Sequence, residues 1–137
     1  MHRDKSMRAP NERIVLVEDF DDLADLTREV LAWEGYEVHL ARTGEEALRL
    51  TAQVEPSLVL LDIHVPGLRG QPLVDALRAL GAEAPHIVVV TGGRERLVDI
   101  EQTLQKPFEI DELIDVVRRY SEPRRPAGAV GFTGPGL

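Results

Sequence analysis

Leu58-Val59-Leu60-Leu61-Asp62 sets four apolar residues directly against a carboxylate, and His64-Val65-Pro66-Gly67 ends any regular strand just beyond it. A short continuous apolar run of this kind fits a strand buried on both faces, as in a parallel sheet. Ligands of open parallel sheets bind beyond the carboxyl ends of the strands. Asp62 therefore stands where chemistry is expected.

The same form recurs on either side. Ile14-Val15-Leu16-Val17 ends in Glu18-Asp19, and His86-Ile87-Val88-Val89-Val90 ends in Thr91-Gly92-Gly93. Tyr36–Leu40 alternates, as a strand with one more polar face does. Ile100–Leu104 is a weaker run ending in Gln105-Lys106-Pro107-Phe108. Between the runs, apolar residues recur at helical spacing. Leu23, Leu26, Val30 and Leu31 follow Asp21 and Asp22, whose charges suit a helix N-terminus, and Gly35 stops that helix. Thr43 and Glu46 fit a capping box ahead of Ala47, Leu48 and Leu50, in a helix that ends before Pro56. Leu73, Val74, Leu77 and Leu80 mark a third helix closed by Gly81. Asp111 opens a last one with Leu113, Ile114, Val116 and Val117. Arg94 to Asp99 has room for at most a turn or two.

A β-α unit repeated five times predicts an α/β fold: a doubly wound, five-stranded parallel sheet of order 2-1-3-4-5. That order makes the strands ending in Glu18-Asp19 and Asp62 neighbours, with Thr91 and Lys106 arriving from the next two strand ends. Three carboxylates without His or Cys at ligand spacing form a hard oxygen site suited to Mg²⁺. Lys106 adds a point cation and Thr91 a hydroxyl, a set that suits the charge of a phosphoryl group. A carboxylate in such a site can act as nucleophile. Asp62, alone on its strand end, fits that role, and the adjacent Glu18 and Asp19 fit a metal.

Glu18-Asp19, Asp62 with Pro66 and Gly70 after it, Thr91-Gly92 and Lys106-Pro107-Phe108 closely resemble the receiver domain of bacterial two-component response regulators, over roughly residues 12–120. The resemblance implies a flavodoxin-like sheet and a phosphorelay role. Asp62 would accept a phosphoryl group from a sensor histidine kinase or histidine phosphotransfer protein. Mg²⁺ would be held by Glu18, Asp19, Asp62 and the backbone carbonyl of His64. Thr91 would hydrogen-bond the phosphoryl group, Lys106 would pair with it, and the Lys106-Pro107 peptide would be cis. Kinase recognition would fall on Asp22–Arg28 and Pro107–Asp111, and the fourth-helix face would be a possible homodimer surface. His64 and Gly93 match positions that tune water access; His64 is expected to cover the site in part and Gly93 to leave it open.

The chain also departs from the family. Only residues 92–105 separate Thr91 from Lys106, so the family's fourth helix, which lies in that interval, is expected to be short or missing. The family's switch aromatic stands three residues before the Lys, a position held here by Thr103. A phosphorylation-independent interaction module is therefore an alternative. A second rival is Asp62-Ile63-His64-Val65-Pro66-Gly67, which matches the Asp-x-His-x-x-Gly motif of cobalamin-binding domains; there, however, the motif follows the first strand.

Composition narrows the rest. The 137 residues are one domain's worth, expected as an arm over 1–12, a receiver over 13–120 and a Pro/Gly-rich disordered tail over 121–137. A net charge of −8 argues against direct nucleic-acid or anionic-membrane binding. The absence of cysteine excludes disulfides and thiolate metal sites. Without an apolar run near the roughly 20 residues of a membrane span, or an apolar signal core, the expectation is a cytoplasmic protein. With no helix-turn-helix or output enzyme read after residue 120, a stand-alone receiver is expected.

Overall fold

The computed structural model describes residues 12–81 and 84–122. Most of the arm and most of the tail anticipated above lie outside those residues. In chain order the elements are β1 (Arg13–Val17), α1 (Asp21–Trp33), β2 (Glu37–Ala41), α2 (Gly44–Val54), β3 (Leu58–Asp62), α3 (Gly70–Arg78), β4 (His86–Thr91), β5 (Gln102–Gln105) and α4 (Ile110–Tyr120). All strands pair in parallel, in the expected order β2-β1-β3-β4-β5. β3 lies in the middle, and every one of its residues is buried, Asp62 included.

The two-residue period of a strand sorts the core into two layers. Val15, Val17, Val59, Leu61, Ile87 and Val89 face one side, against Ala47 of α2 and Leu73, Val74 and Leu77 of α3. Ile14, Leu16, Leu58, Leu60, Val88 and Val90 face the other, against Leu31 of α1 and Leu113, Val116 and Val117 of α4. An unbroken apolar run is what a strand covered on both faces requires, so β1, β3 and β4 read as such in the sequence.

Local signals set the helix ends. Thr43 caps α2, its Oγ1 accepting from Glu46 N–H. The return half of the expected capping box is shifted: Glu46 Oε1 accepts from Arg42 N–H, not from Thr43. A full reciprocal box stands at the N-terminus of α4 instead, between Glu109 and Glu112. Gly44 opens α2 against the loop after β3, where a Cβ would come 1.5 Å from the Leu68 carbonyl oxygen. Only glycine allows that approach.

Among the described residues there are four helices, and none lies between β4 and β5. Residues 92–101 cross as bends and extended chain. Leu97 and Ile100 drop onto the α2/α3 core layer, burying part of what a helix would have covered. Side chains of α3 hold the crossover. Gln71 donates to Val98 O at 3.0 Å and accepts from Val98 N–H at 2.9 Å. Arg78 donates to Asp99 O at 2.7 Å, Pro85 O at 3.0 Å and Glu101 Oε1 at 2.7 Å. Glu101 in turn accepts from Ile87 N–H and contacts His86 Nδ1. A polar clamp therefore replaces the packing face of the missing helix.

Candidate functional site at the strand ends

The carboxyl ends of β1, β3, β4 and β5 converge on one corner of the sheet. Glu18 follows β1, Asp62 ends β3, Thr91 ends β4 and Lys106 follows β5. Parallel pairing fixes this: β3 lies between β1 and β4, and Asp62 is level with Val90. Glu18, Asp62 and Thr91 are buried, whereas Asp19 is exposed.

Asp62 is held at both oxygens. His64 N–H donates to Oδ1 at 3.0 Å, and Lys106 Nζ donates to Oδ2 at 3.2 Å. Lys106 is itself fixed through its backbone N–H, which donates to Thr91 O at 2.8 Å, and its peptide with Pro107 is cis. Glu18 Oε2 accepts from Phe20 N–H at 3.1 Å. Burial, and then the hydrogen bond and charge of Asp62, push the Glu18 carboxyl up to about 7, against the opposing pull of Phe20 N–H and Lys106. Two buried carboxylates thus share a corner with one Lys, an arrangement that favours a further cation.

Glu18, Asp19 and Asp62 each bring a carboxylate oxygen within 4.8 Å of the others. These oxygen donors suit a hard divalent cation such as Mg²⁺, so the residues present fit the expected metal. His64 supplies its backbone N–H to Asp62, while its side chain is exposed. Asp21 and Asp22 lie exposed in the first turn of α1, as helix-start charges do, and Asp21 pairs with Arg42. His39 and His86 are strand residues, as expected.

Sequence reading missed Glu95. Thr91 Oγ1 donates to Glu95 Oε1 at 2.9 Å and accepts from Gly93 N–H at 3.0 Å. Glu95 Oε2 lies 3.5 Å from His64 Nε2. Its own backbone N–H, then the Thr91 hydroxyl, hold the Glu95 carboxyl below its ordinary range, with His64 adding to the effect. The openness expected at Gly93 needs correcting, because Glu95 takes the space: a Cβ on Gly93 would meet Glu95 Oε1 at 2.4 Å. The only sequence signal was a carboxylate four residues past Thr91, in a segment with no periodicity to place it. Thr103, at the switch-aromatic position, is exposed on β5.

Among the described residues no helix is long and apolar enough to cross a membrane. A profile of the response regulator receiver domain matches residues 14–118. The chain is 31% identical over 116 residues to sporulation initiation phosphotransferase F of Bacillus subtilis, covering 80% of this chain and 94% of that protein. It is 31% identical to the DNA-binding response regulator MtrA of Mycolicibacterium smegmatis, covering 82% of this chain and 51% of that one. The chain thus spans about half the length of several curated relatives. Among solved structures, the receiver domain of a Pseudomonas aeruginosa sensor histidine kinase, with a magnesium ion coordinated in its active-site cleft, superposes with a TM-score of 0.72 at 25% identity. That match covers 80% of this chain and 96% of that one. A response regulator structure from Chloroflexus aurantiacus superposes with a TM-score of 0.71 at 28% identity, over 80% and 96% of the two chains.

Proposed function

The chain belongs to the response regulator receiver domain family, and from that premise we propose that it accepts a phosphoryl group onto Asp62 and signals by protein contact. The donor is the phosphohistidine of a sensor histidine kinase or a histidine phosphotransfer protein. The observation that carries this reading is the Asp62 carboxylate, buried at the end of the central strand, held by Lys106 and flanked by Glu18 and Asp19.

In the proposed transfer an Asp62 oxygen attacks phosphorus, the P–N bond to the donor imidazole breaks, and its electron pair returns to the ring nitrogen. The His64 N–H holds the carboxylate in place as it attacks. Lys106 Nζ, already on Oδ2, offsets charge on the phosphoryl oxygens, and Thr91 offers a hydroxyl from the neighbouring strand end. Glu18, Asp19, Asp62 and the His64 carbonyl would hold Mg²⁺, which when bound supplies charge neutralisation for the transferred group. The magnesium in the Pseudomonas receiver domain and the phosphotransferase name of the Bacillus relative both support this reading.

Docking of the donor falls on α1 and the β5–α4 loop. Phe20, Leu26 and Ile110 are exposed there at 61%, 48% and 40%, more apolar surface than a solvated helix end requires. Leu23 and Thr27 of α1 line a small cleft with Phe108 and Leu113, so the two segments adjoin beside Asp62. The cobalamin alternative has nothing in the geometry to favour it: Asp62 ends the third strand, and its Oδ1 is taken by the backbone N–H of His64.

Incubation with acetyl phosphate and Mg²⁺ tests the reading. A base-labile mass increment of one phosphoryl group should form, and should be lost in Asp62→Asn. A wild-type chain that gains no such adduct would instead be a phosphorylation-independent interaction module.

A further inference from the structure

The proton of the Thr91 hydroxyl can serve only one acceptor, and in this structure it serves Glu95. Glu95 also reaches His64, two residues beyond the end of β3, so its carboxylate bridges the ends of β3 and β4 beside Asp62. It fills the room left by Gly93. The chain just beyond is tied down, Val98 by Gln71 and Asp99 and Glu101 by Arg78. Gly93 is tied on the strand side, its N–H to Thr91 Oγ1 and its carbonyl oxygen to Gln105 Nε2 at 3.1 Å, so the stretch between the two sets of ties is short, running from Arg94 to Leu97.

We propose that Glu95 is a tethered competitor of the phosphoryl group, holding the Thr91 hydroxyl while Asp62 is unmodified and expelled when the phosphoryl group takes that hydroxyl. The crossover at residues 93–97 then reports the state of Asp62, in a chain whose switch-aromatic position is the exposed Thr103. This rests on the reading of Asp62 as phosphoacceptor. The chemistry favours the exchange. A phosphoryl group carries more negative charge than a carboxylate and accepts hydrogen bonds more strongly. The two anions also repel one another across the strand ends. Glu95 is exposed, and the contacts that hold its carboxylate are its own backbone N–H, the Thr91 hydroxyl and His64, all of them open to exchange with water.

The test compares wild type, Glu95→Ala and Glu95→Gln, with folding checked by circular dichroism. Phosphorylation uses acetyl phosphate and Mg²⁺: the bond from Asp62 oxygen to phosphorus forms, the phosphorus–oxygen bond to acetate breaks, and acetate leaves with the electron pair. Removing a competing anion should speed this about fivefold in Glu95→Ala. Glu95→Gln, which keeps an acceptor without the charge, should fall between. In NMR spectra of the unmodified protein, the Thr91 methyl and Gly93 amide signals of Glu95→Ala should move toward the positions that beryllofluoride and Mg²⁺ produce in wild type. Equal phosphorylation rates in all three proteins, with Thr91 and Gly93 signals unmoved, would overturn the competitor role while leaving Asp62 as phosphoacceptor. Slower loss of the phosphoryl group with an unchanged rate of gain would overturn it too, since Glu95 would then be orienting the attacking water. A wild-type chain that never gains the adduct fails at the earlier step and removes both readings.

Discussion

Lys106 Nζ lies 3.2 Å from Asp62 Oδ2, although 44 residues separate the two in the chain. Two crossovers of the sheet bring them together, since β4 pairs with β3 on one side and β5 on the other. Lys106→Ala should therefore leave the fold in place and cut phosphorylation of Asp62 by about a hundredfold, in line with loss of one preorganised charge-stabilising donor. Initial rates with acetyl phosphate, alongside an unchanged melting profile, check this. Equal rates in the two proteins would remove Lys106 from the chemistry.

Glu18 sets a pH dependence of the metal-free protein. Its carboxyl is raised from an ordinary 4.5 to about 7, so the folded state binds a proton that the unfolded state has released in between. Stability from this source is fully present below the unfolded value and is lost as pH rises through the folded one. The melting temperature should fall between about pH 5 and 8, and Glu18→Gln should flatten that slope. Mg²⁺ should have the opposite dependence, binding more tightly as pH passes 7, because it competes with the same proton. Thermal melts across pH, with and without Mg²⁺, give both slopes.

Gly44 is where α2 meets the loop that follows Asp62. A methyl group there would overlap the Leu68 carbonyl oxygen, and backbone yields less readily than a side chain. Gly44→Ala should cost about 3 kcal/mol by urea unfolding, at the upper end for overpacking. An undiminished midpoint would show that the loop can retreat without loss.

Glu101 anchors the crossover that stands in for a helix. Burial pushes its carboxyl up, but Ile87 N–H, His86 and Arg78 outweigh that and hold it below its ordinary range. A depressed carboxylate stabilises the fold above its unfolded value and loses that contribution as pH falls through the folded one, here on the acid side of 4.5. Glu101→Gln should cost about 2 kcal/mol at neutral pH, and the difference from wild type should shrink in acid. Arg78→Ala should resemble it, because it breaks the same clamp. Denaturant titrations at neutral and acid pH distinguish this from a uniform loss.

Much of this protein was determined by local sequence. Unbroken runs such as Leu58–Leu61 must be covered on both faces, and helical spacing between them leaves a parallel, doubly wound sheet as the consistent solution. Because strand ends in such a sheet share one edge, the sequence alone brings Glu18, Asp19, Asp62, Thr91 and Lys106 together. The short interval after Thr91 likewise announced that a helix would be lacking. What replaced it was not legible. Gln71 and Arg78 look like ordinary polar residues on a helix, and their bonds to Val98, Asp99 and Glu101 depend on how the crossover lies across α3. Glu95 is the sharpest case. Its grip on Thr91 arises from the bend at Gly92 and Gly93, and an aperiodic segment carries no local rule that would reveal it. Side-chain period and turn residues act within a few positions, so they fix elements and their ends. Which acceptor a buried hydroxyl finds is decided only when distant segments pack.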